Sequence, residues 1–419
     1  MPFEVLVFLV IPLLGLGLVQ CLFNIRLLQR LVPTPSDFQS ELQDISVLVP
    51  ARNEEIRIGD CLASLLNQKP PVGEIILLDD RSTDRTAEIA VGLGFREGEG
   101  NRLRLIRGEE LPPGWVGKNW ACHQLQGAAG RGSSHILFTD ADTVHHPECV
   151  RTALSHANSE RADLLSLWPD QITGTWSEKL IIPLGYLLFM AFHPFLLLNL
   201  LQACPARVRR WKITRPRLAS LGAANGQFLL FSRSSYDELG GHEALKDHLV
   251  EDIAFGRRVA SRTGEGWRLV NADGMRLLRC RMYYNIGELW EGFSKNLRPV
   301  FEKSFASFVL FGVVVGGLFL LPFLFLASGG ILGRASLVAV LLIALMRLIL
   351  TLRSRTSWLG FIAHPFGIVL ALLIALNSWR LCLTKGVSWK GEGLLGKYPE
   401  LSWLKAQRGS TFSSSGRRF

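Results

Sequence analysis

Two carboxylates one residue apart, Asp140 and Asp142, close the run Ile136-Leu137-Phe138-Thr139-Asp140-Ala141-Asp142-Thr143. The apolar part has the length of a buried strand, and alternate strand residues share a face. Both acids are therefore expected to point the same way. Like charges so close repel unless something neutralises them. A divalent cation does so, and hard oxygen ligands suit Mg²⁺ or Mn²⁺, which keep several waters and share phosphate oxygens with a substrate. The competing reading is a loop of solvated acids that also caps a helix beginning near Pro147. A second acidic pair, Asp79-Asp80, follows the apolar run 74–78. A third, Glu251-Asp252, comes after the turn Gly240-Gly241-His242.

The elements that position these pairs alternate between residues 44 and 285. Short apolar runs give way to amphipathic segments and return, the pattern of an α/β domain. Strands are predicted at 45–49, 74–78, 103–106, 135–139, 227–231, 267–270 and 275–280. Helical spacing marks 58–66, a helix through Ala90 with Asp84 as its N-cap, and the segments 118–129, 250–260 and 286–301. Two acidic pairs thus sit at the C-terminal ends of strands, where open parallel sheets bind ligands.

The chain has 419 residues, 48% hydrophobic and 20% charged, with a mean hydropathy of +0.23. The apolar surplus is uneven, which favours membrane segments over one large core. One apolar run fills residues 1–28, and three more fill 304–383 with interruptions at 329–335 and 353–359; a span needs about 20 apolar residues. The first run lacks a basic start and a small-residue cleavage pattern, so it reads as a retained anchor. Glu4 precedes it and Arg26 and Arg30 follow, which places the middle of the chain in the cytoplasm. Three C-terminal spans would put the basic tail outside against the same rule, so either one run is re-entrant or the tail violates it.

The expected organisation is an anchor at 1–30, a linker at 31–43 containing Pro33-Thr34-Pro35-Ser36, a catalytic domain at 44–303, transmembrane helices at 304–383 and a basic tail at 384–419. The apolar stretch 180–202, with Pro183 and His193-Pro194, is either a buried helix pair or a helix lying in the membrane interface that guides a lipid. The net charge is +10, and Arg207, Arg209, Arg210, Lys212, Arg215 and Arg217 cluster. With no nucleic-acid motif alongside, anionic headgroups or a phosphorylated substrate are the simpler partners. Seven cysteines without a Cys-x-x-Cys pair suggest neither a disulfide framework nor a zinc site.

Five segments resemble, in order, the motifs of family 2 glycosyltransferases. They are Val47-Leu48-Val49-Pro50-Ala51-Arg52-Asn53-Glu54-Glu55, Leu77-Leu78-Asp79-Asp80-Arg81-Ser82-Thr83-Asp84-Arg85-Thr86, Gly117-Lys118, Thr139-Asp140-Ala141-Asp142 and Glu251-Asp252. The resemblance spans roughly residues 44–299. It implies a GT-A fold, in which a mixed α/β sheet flanked by helices binds a nucleotide sugar, and inverting sugar transfer. Leu111-Pro112-Pro113-Gly114-Trp115-Val116-Gly117-Lys118-Asn119-Trp120-Ala121, Gly240-Gly241-His242 and Ser388-Trp389-Lys390-Gly391 resemble the membrane-bound branch acting on isoprenoid lipids. That branch includes carotenoid glycosyltransferases of the chlorobactene/myxol type and hopanoid-associated relatives. Gly226-Gln227-Phe228, Arg281-Met282-Tyr283 and Gly292-Phe293-Ser294-Lys295-Asn296 lean towards the carotenoid group.

Roles follow from that resemblance. Asp142 is expected as the ligand of a Mg²⁺ or Mn²⁺ ion that bridges the donor phosphates, with Asp140 on the ribose or on the ion through water. Asp80, with Asp79 as second choice, would accept a hydrogen bond from the nucleobase, and Ala51, Arg52 and Glu54 would line the same pocket. Lys118 would contact the nucleotide or stand solvated at a helix start. Asp252 is expected as the general base that takes the acceptor proton. Glu251 and His242 are assigned to the acceptor region, although Glu251 would also suit the positive end of a helix dipole. Processive members of the family carry Gln-x-x-Arg-Trp after the base, whereas residues 291–296 here contain no Arg-Trp. Lys295 would stand in as the cation near the diphosphate, as a point charge and not a fork.

The resulting expectation is an integral membrane enzyme of a bacterial plasma or inner membrane, or of a thylakoid, with its catalytic domain in the cytoplasm. It would move one hexose or deoxyhexose from a nucleotide diphosphate sugar, UDP-glucose or similar, to a hydroxyl of a membrane lipid, with a carotenoid preferred. Polyprenyl phosphate or a hopanoid is the alternative acceptor. A catalytically silent nucleotide-sugar-binding scaffold is the alternative of another class, and no acid at positions 80, 142 or 252 is lost to favour it. A transporter would need more spans.

Overall fold

The computed structural model describes residues 2–33, 42–204, 215–297, 299–301 and 305–383, with two-residue strands at 388–389 and 392–393. Most of the linker, the basic cluster at 207–212, Lys390-Gly391 and nearly all of the tail lie outside the described residues. Helix α1 (Pro2–Leu27) comes first. Strict alternation follows in β1 (Ile45–Ala51), α2 (Ile58–Leu66), β2 (Glu74–Asp79), α3 (Thr86–Gly92), β3 (Leu103–Arg107), α4 (Gly117–Ala128) and β4 (His135–Thr139). These four strands are parallel, with β1 between β2 and β4 and with β3 outside β2. Val47, Leu48 and Val49 of β1 are fully buried, as expected of a strand covered by helices on both faces.

The second half is irregular. It runs through β5 (Thr143–His145), α5 (Cys149–Glu160), β6 (Leu164–Trp168), β7 (Asp170–Gln171), α6 (Trp176–Phe192), α7 (Phe195–Ala203), β8 (Phe228–Ser232), α8 (Glu251–Ser261), β9 (Leu269–Asp273), β10 (Leu278–Cys280) and α9 (Ile286–Asn296). The main sheet has the order β3-β2-β1-β4-β8-β6-β9, and β8 runs antiparallel to both its neighbours. This is the mixed sheet flanked by helices that GT-A implies. A three-stranded sheet, β5-β10-β7, is separate from it.

Chain direction reverses between β1 and β4: β2 and β3 lie on one side of β1, and all later strands lie on the other. The crevice at the carboxyl ends of β1 and β4 is therefore the topological switch point, where doubly wound sheets bind ligands. Because β8 is antiparallel and Phe228 pairs with Thr139, the start of β8 also opens onto this edge.

Three expectations are corrected locally. Strand β4 ends at Thr139, so Asp140 and Asp142 lie in the turn that joins it to β5 and not on one strand face. The N-cap of α3 is Arg85, not Asp84; the Asp84 carboxylate accepts the Thr86 N–H at 3.0 Å and the Thr86 hydroxyl at 2.5 Å. Helix α9 stops at Asn296, and a separate 3₁₀ turn covers Pro299–Phe301.

The apolar C-terminal part forms α10 (Phe305–Phe319), α11 (Gly330–Ser354) and α12 (His364–Leu383). Three helical segments, Val7–Leu27, Gly330–Ser354 and His364–Leu381, are long and apolar enough to cross a membrane. Helix α10, with 15 residues, is shorter. So two of the three expected C-terminal runs reach spanning length. Leu16 on α1 and Leu341 on α11 are 64% and 58% exposed, a surface that suits lipid better than water.

Helices α6 and α7 meet at a 46° bend and lie between the sheet and the apolar helices. Phe189 stacks on Trp168 at 4.2 Å between centroids. Asn24 of α1 donates to the carbonyls of Met190 and His193 at 2.8 and 2.7 Å. Leu198 joins the core on the α4 side of the sheet. The stretch at 180–202 thus forms a helix pair packed between the sheet and the apolar helices, and together the two helices also have the length and composition of one bent span.

A buried carboxylate fixes the same joint. Asp273, fully buried at the end of β9, accepts from Arg30 Nε and from an Arg353 guanidinium nitrogen, both at 2.8 Å. The chain after α1 also pairs with it, through Leu31 N–H to the Asp273 carbonyl and Asp273 N–H to the Gln29 carbonyl, each at 2.9 Å. Two guanidinium groups satisfy an acid that would otherwise bear the full cost of burial. The ends of α1 and α11 are thereby held to the sheet edge.

Candidate active site

The acids converge at the switch point. Lys118, in the first turn of α4, places its ammonium 2.8 Å from Asp140 and 2.7 Å from Glu251. Burial opposes the charge on Lys118, but the two carboxylates outweigh it and hold the ammonium well above its ordinary value. Burial likewise pushes Glu251 up, yet Lys118 more than reverses this and its pKa falls. For Asp140 burial wins over Lys118, and the carboxyl is raised. Lys118, with its side chain 38% exposed, thus serves as counter-ion to both carboxylates. Glu251 is fixed by that ion pair as well as by its place at a helix start.

Asp142 stands in a different environment. Its Oδ1 is buried without a hydrogen-bond partner. Burial, then the charges of Asp140 and Glu54, push its carboxyl up to about 7. Such an orphaned oxygen is costly to bury and asks for a ligand. The turn that carries it is held from below. Thr143 Oγ1 donates to the Asp140 carbonyl at 2.7 Å. Thr139 Oγ1 donates to the Gln227 carbonyl at 2.8 Å and lies 3.0 Å from Thr143 Oγ1 and 3.1 Å from His145 Nε2.

Asp252 opens the second side of the crevice from the first turn of α8. One carboxylate oxygen accepts the Gly226 N–H at 2.8 Å and the other accepts the Ile253 N–H at 2.7 Å. Burial, then the neighbouring charge of Glu251, raise this carboxyl to about 7, and Lys118 only partly offsets them. Gly226 packs closely here, since an added Cβ would stand 3.1 Å from Asp252 Oδ2 and the carboxylate would have to give way.

The loops after β1 and β2 build the opposite wall. Asp79 is buried and accepts from Arg107 at 2.7 Å and from the Ser82 N–H at 3.1 Å, which occupies it in holding the turn. Asp80 lies 3.2 Å from Arg81 and 3.6 Å from Arg52, beside Gly117. Ala51 ends β1 in the core, and its carbonyl accepts the Asp80 N–H. Asn53 and Arg81 both adopt left-handed backbones, at φ of 52° and 58°, a strained geometry that collects at functional sites. The loops brace one another, with Thr83 N–H donating to Asn53 at 2.8 Å and Glu54 N–H donating to Thr86 Oγ1 at 2.8 Å.

One residue sits apart from the place its role would need. His242 is buried, not open to the crevice. Its Nδ1 is 2.7 Å from the Tyr236 hydroxyl and its ring packs on Phe138 and Phe255; burial lowers its pKa to about 3. A neutral core histidine is the reading this packing supports. Lys295 lies in the last turn of α9, seven residues and about 10 Å beyond Glu288.

Several residues at the site carried no sequence signal. Arg57 bonds Glu54 at 2.9 Å and Glu288 at 3.1 Å and lies over the Tyr284 ring, joining the donor-side loop to α9. Cys280 of β10 pairs with Thr143 of β5, next to Asp142 in the chain, and Gln227 donates to its sulfur at 2.8 Å. Burial, and then the charges of Asp142 and Asp140, keep Cys280 a thiol. Only Gln227 belonged to a segment with a resemblance. The approach of the turn at Gln227 to Cys280 of β10 is not visible in one dimension.

Comparison with known proteins gives the following. Residues 46–231 match the family profile described as Glycosyl transferase family 2, and residues 205–395 match Glycosyl transferase family 21. A 4,4'-diaponeurosporenoate glycosyltransferase of Staphylococcus aureus strain USA300 is 27% identical over 256 residues, 60% of each chain. The chain thus spans 60% of the length of that curated relative. The protein of the same name from bovine strain RF122 is 26% identical over 363 residues, 84% of this chain and 88% of its own. Among solved structures, a Pyrobaculum calidifontis mannosyltransferase in complex with GDP-Man and Mn²⁺ covers 90% of this chain and 99% of its own at 15% identity and a TM-score of 0.47. Glucosyl-3-phosphoglycerate synthase from Mycobacterium tuberculosis, with Mn²⁺, UDP and phosphoglyceric acid, covers 65% and 84% at 20% identity and a TM-score of 0.38.

Proposed function

Because the chain is a family 2 glycosyltransferase, we propose that it transfers a single sugar from a nucleoside diphosphate sugar to a hydroxyl of a membrane lipid, with inversion. A carotenoid is the preferred acceptor. The observation that carries this reading is the convergence of Asp140 and Glu251 on Lys118 at the switch point, with Asp142 and Asp252 beside them in the chain. The donor nucleotide is assigned to the wall formed by Ala51, Arg52, Glu54 and Asp80.

A divalent cation, Mg²⁺ or Mn²⁺, fits the residues present. Asp142 offers a buried, unpartnered oxygen, and Asp140 stands beside it. Among the described residues no three His, Cys, Asp or Glu side chains group around one point, so waters and phosphate oxygens would complete the shell, as is usual for these ions. When bound, the cation supplies Lewis-acid stabilisation of the leaving diphosphate. Asp142 is assigned as its direct ligand. Asp140, already committed to Lys118, is assigned to the ribose or to the ion through water.

Asp252 is assigned as the base. Single-step inversion requires the acceptor proton to leave as its oxygen attacks the anomeric carbon. A carboxyl with a pKa of about 7 is matched to that task at neutral pH. A carboxylate acceptor, of the kind named in the Staphylococcus relatives, would already be ionised and need no base. The tuned Asp252 favours a hydroxyl. The three segments of spanning length support a membrane setting, and Arg26 and Arg30 after the first of them favour a crevice on the cytoplasmic side.

Deleting the gene and profiling lipid extracts by mass spectrometry tests the acceptor class. The expected result is loss of a glycosylated lipid and accumulation of its sugar-free precursor. An unchanged lipid profile would remove the lipid acceptor.

A further inference from the structure

We propose that α12 does not cross the bilayer but re-enters it, so that the chain leaves α12 on the side of the catalytic crevice. The inference rests on the membrane setting proposed above. Its frame is the shared direction of α1 and α11, which both end beside Asp273, held there by Arg30 and Arg353. Two parallel helices need one crossing between them in the opposite sense. Helix α10 and the helical turn Leu321–Leu324 supply it before α11 begins at Gly330. The chain is then back on the catalytic side at Ser354. Only residues 355–363 separate it from α12, and they include the helix Trp358–Ile362, so they are too compact to cross a hydrocarbon core of about 30 Å.

Contacts fix how far the chain dips. Arg347, about 10 Å below the end of α11, donates to the Gly360 carbonyl. A Cβ on Gly360 would strike the Lys179 carbonyl of α6, and one on Gly367 of α12 would stand 3.3 Å from the Leu180 carbonyl. This end of α6 is tied to the catalytic domain, because the fully buried Glu178 pairs with Arg281 at 3.2 Å, just beyond β10. Helix α12 then rises beside α10 in the opposite direction. His364 meets Phe319 and Phe323, and Trp379 meets Phe305 at the start of α10. Asn377 donates to Ser294 of α9 at 2.9 Å, and the strand Ser388–Trp389 also lies against α9. A crossing helix would meet the catalytic layer at one end only, whereas α12 meets it near both. Its outer face is a stripe of Ile362, Phe366, Val369, Leu373 and Leu376, alternately four and three apart, with Ile362 75% and Phe366 72% exposed. Ile368, Ile374 and Ser378 on the other face are buried. One side on protein throughout and one apolar side outward suit the acyl chains just below the headgroups. The basic tail then starts on the cytoplasmic side, which removes the conflict with the charge rule.

The test is protease digestion of spheroplasts, before and after permeabilisation, with the full-length protein carrying one epitope after Phe419 and a second in the exposed catalytic-domain loop at Gly98. Both epitopes should survive in intact spheroplasts and be lost together after permeabilisation. In a second form the Gly98 epitope is moved to Gly329, ahead of α11. That epitope should be lost from intact spheroplasts while the tail epitope survives, which decides the point if insertion at Gly98 disturbs folding. A tail epitope on the opposite side from the one at Gly98, or on the same side as the one at Gly329, would make α12 a crossing helix and overturn the re-entrant assignment. Release of the protein from membranes by alkaline carbonate would overturn the membrane setting beneath it.

Discussion

Asp252→Asn is expected to lower sugar transfer by about 10²- to 10⁴-fold, the usual contribution of a positioned general base, and to leave donor binding near wild type. The asparagine keeps the shape and one acceptor for the Gly226 and Ile253 N–H groups but cannot take a proton at neutral pH. The pH profile supplies the sharper readout. Burial and Glu251 hold this carboxyl at about 7, and only the ionised form can act. Wild-type kcat/KM should fall about tenfold per pH unit below that value and level off above it. The variant's residual rate should be flat across the same range. The linkage has the opposite sign: folding raises the carboxyl from 3.8 to about 7. Its contribution to stability is therefore complete below 3.8 and is lost as the pH rises through 7. Retained turnover with a wild-type pH limb would remove Asp252 as the base.

Asp142→Ala should abolish the dependence of donor binding on Mn²⁺, weakening it by more than about 100-fold at limiting metal, because the substitution removes a direct ligand and not an outer one. Calorimetric titration of UDP and GDP sugars with and without Mn²⁺ reads this directly. Asp140→Ala should cost less at the metal, since Lys118 already neutralises that acid, and should instead leave Lys118 held by Glu251 alone. Equal donor affinity with and without Mn²⁺ in the wild type would sink the metal assignment for both acids.

Much of this was legible in the sequence for a physical reason. Alternating runs such as 45–49 and 74–78 report burial on both faces, and a strand's end is marked by its first charged residues. That placed Asp79-Asp80 and Asp140 at the correct edge. What escaped is the information that lies across strands. Lys118 could be read as solvated or nucleotide-bound, because nothing local shows that Asp140 and Glu251, from opposite halves of the sheet, close on it at 2.8 and 2.7 Å. The Gly240-Gly241-His242 turn looked like a polar site feature. Tertiary packing on Phe138, Phe255 and Tyr236 made the histidine a core residue instead. Cys280 gave no signal, since a lone thiol acquires meaning only when β10 is laid against β5. The run at 180–202 was ambiguous because apolar periodicity alone cannot distinguish packing on protein from contact with lipid. Asn24 and Trp168 show which parts of it pack on protein, while Leu197 and Leu200 stay exposed.

The central claim is that the clustered acids at the switch point serve transfer of sugar to a lipid. It is tested most directly by reconstituting the full-length protein in lipid nanodiscs with Mn²⁺, a hydroxylated carotenoid and UDP- or GDP-linked sugars in turn. The expected result is release of nucleoside diphosphate in step with glycosylated carotenoid for one of the donors, lost in Asp252→Asn. Donor binding with no lipid product from any donor, or product formed equally by Asp252→Asn, would contradict it.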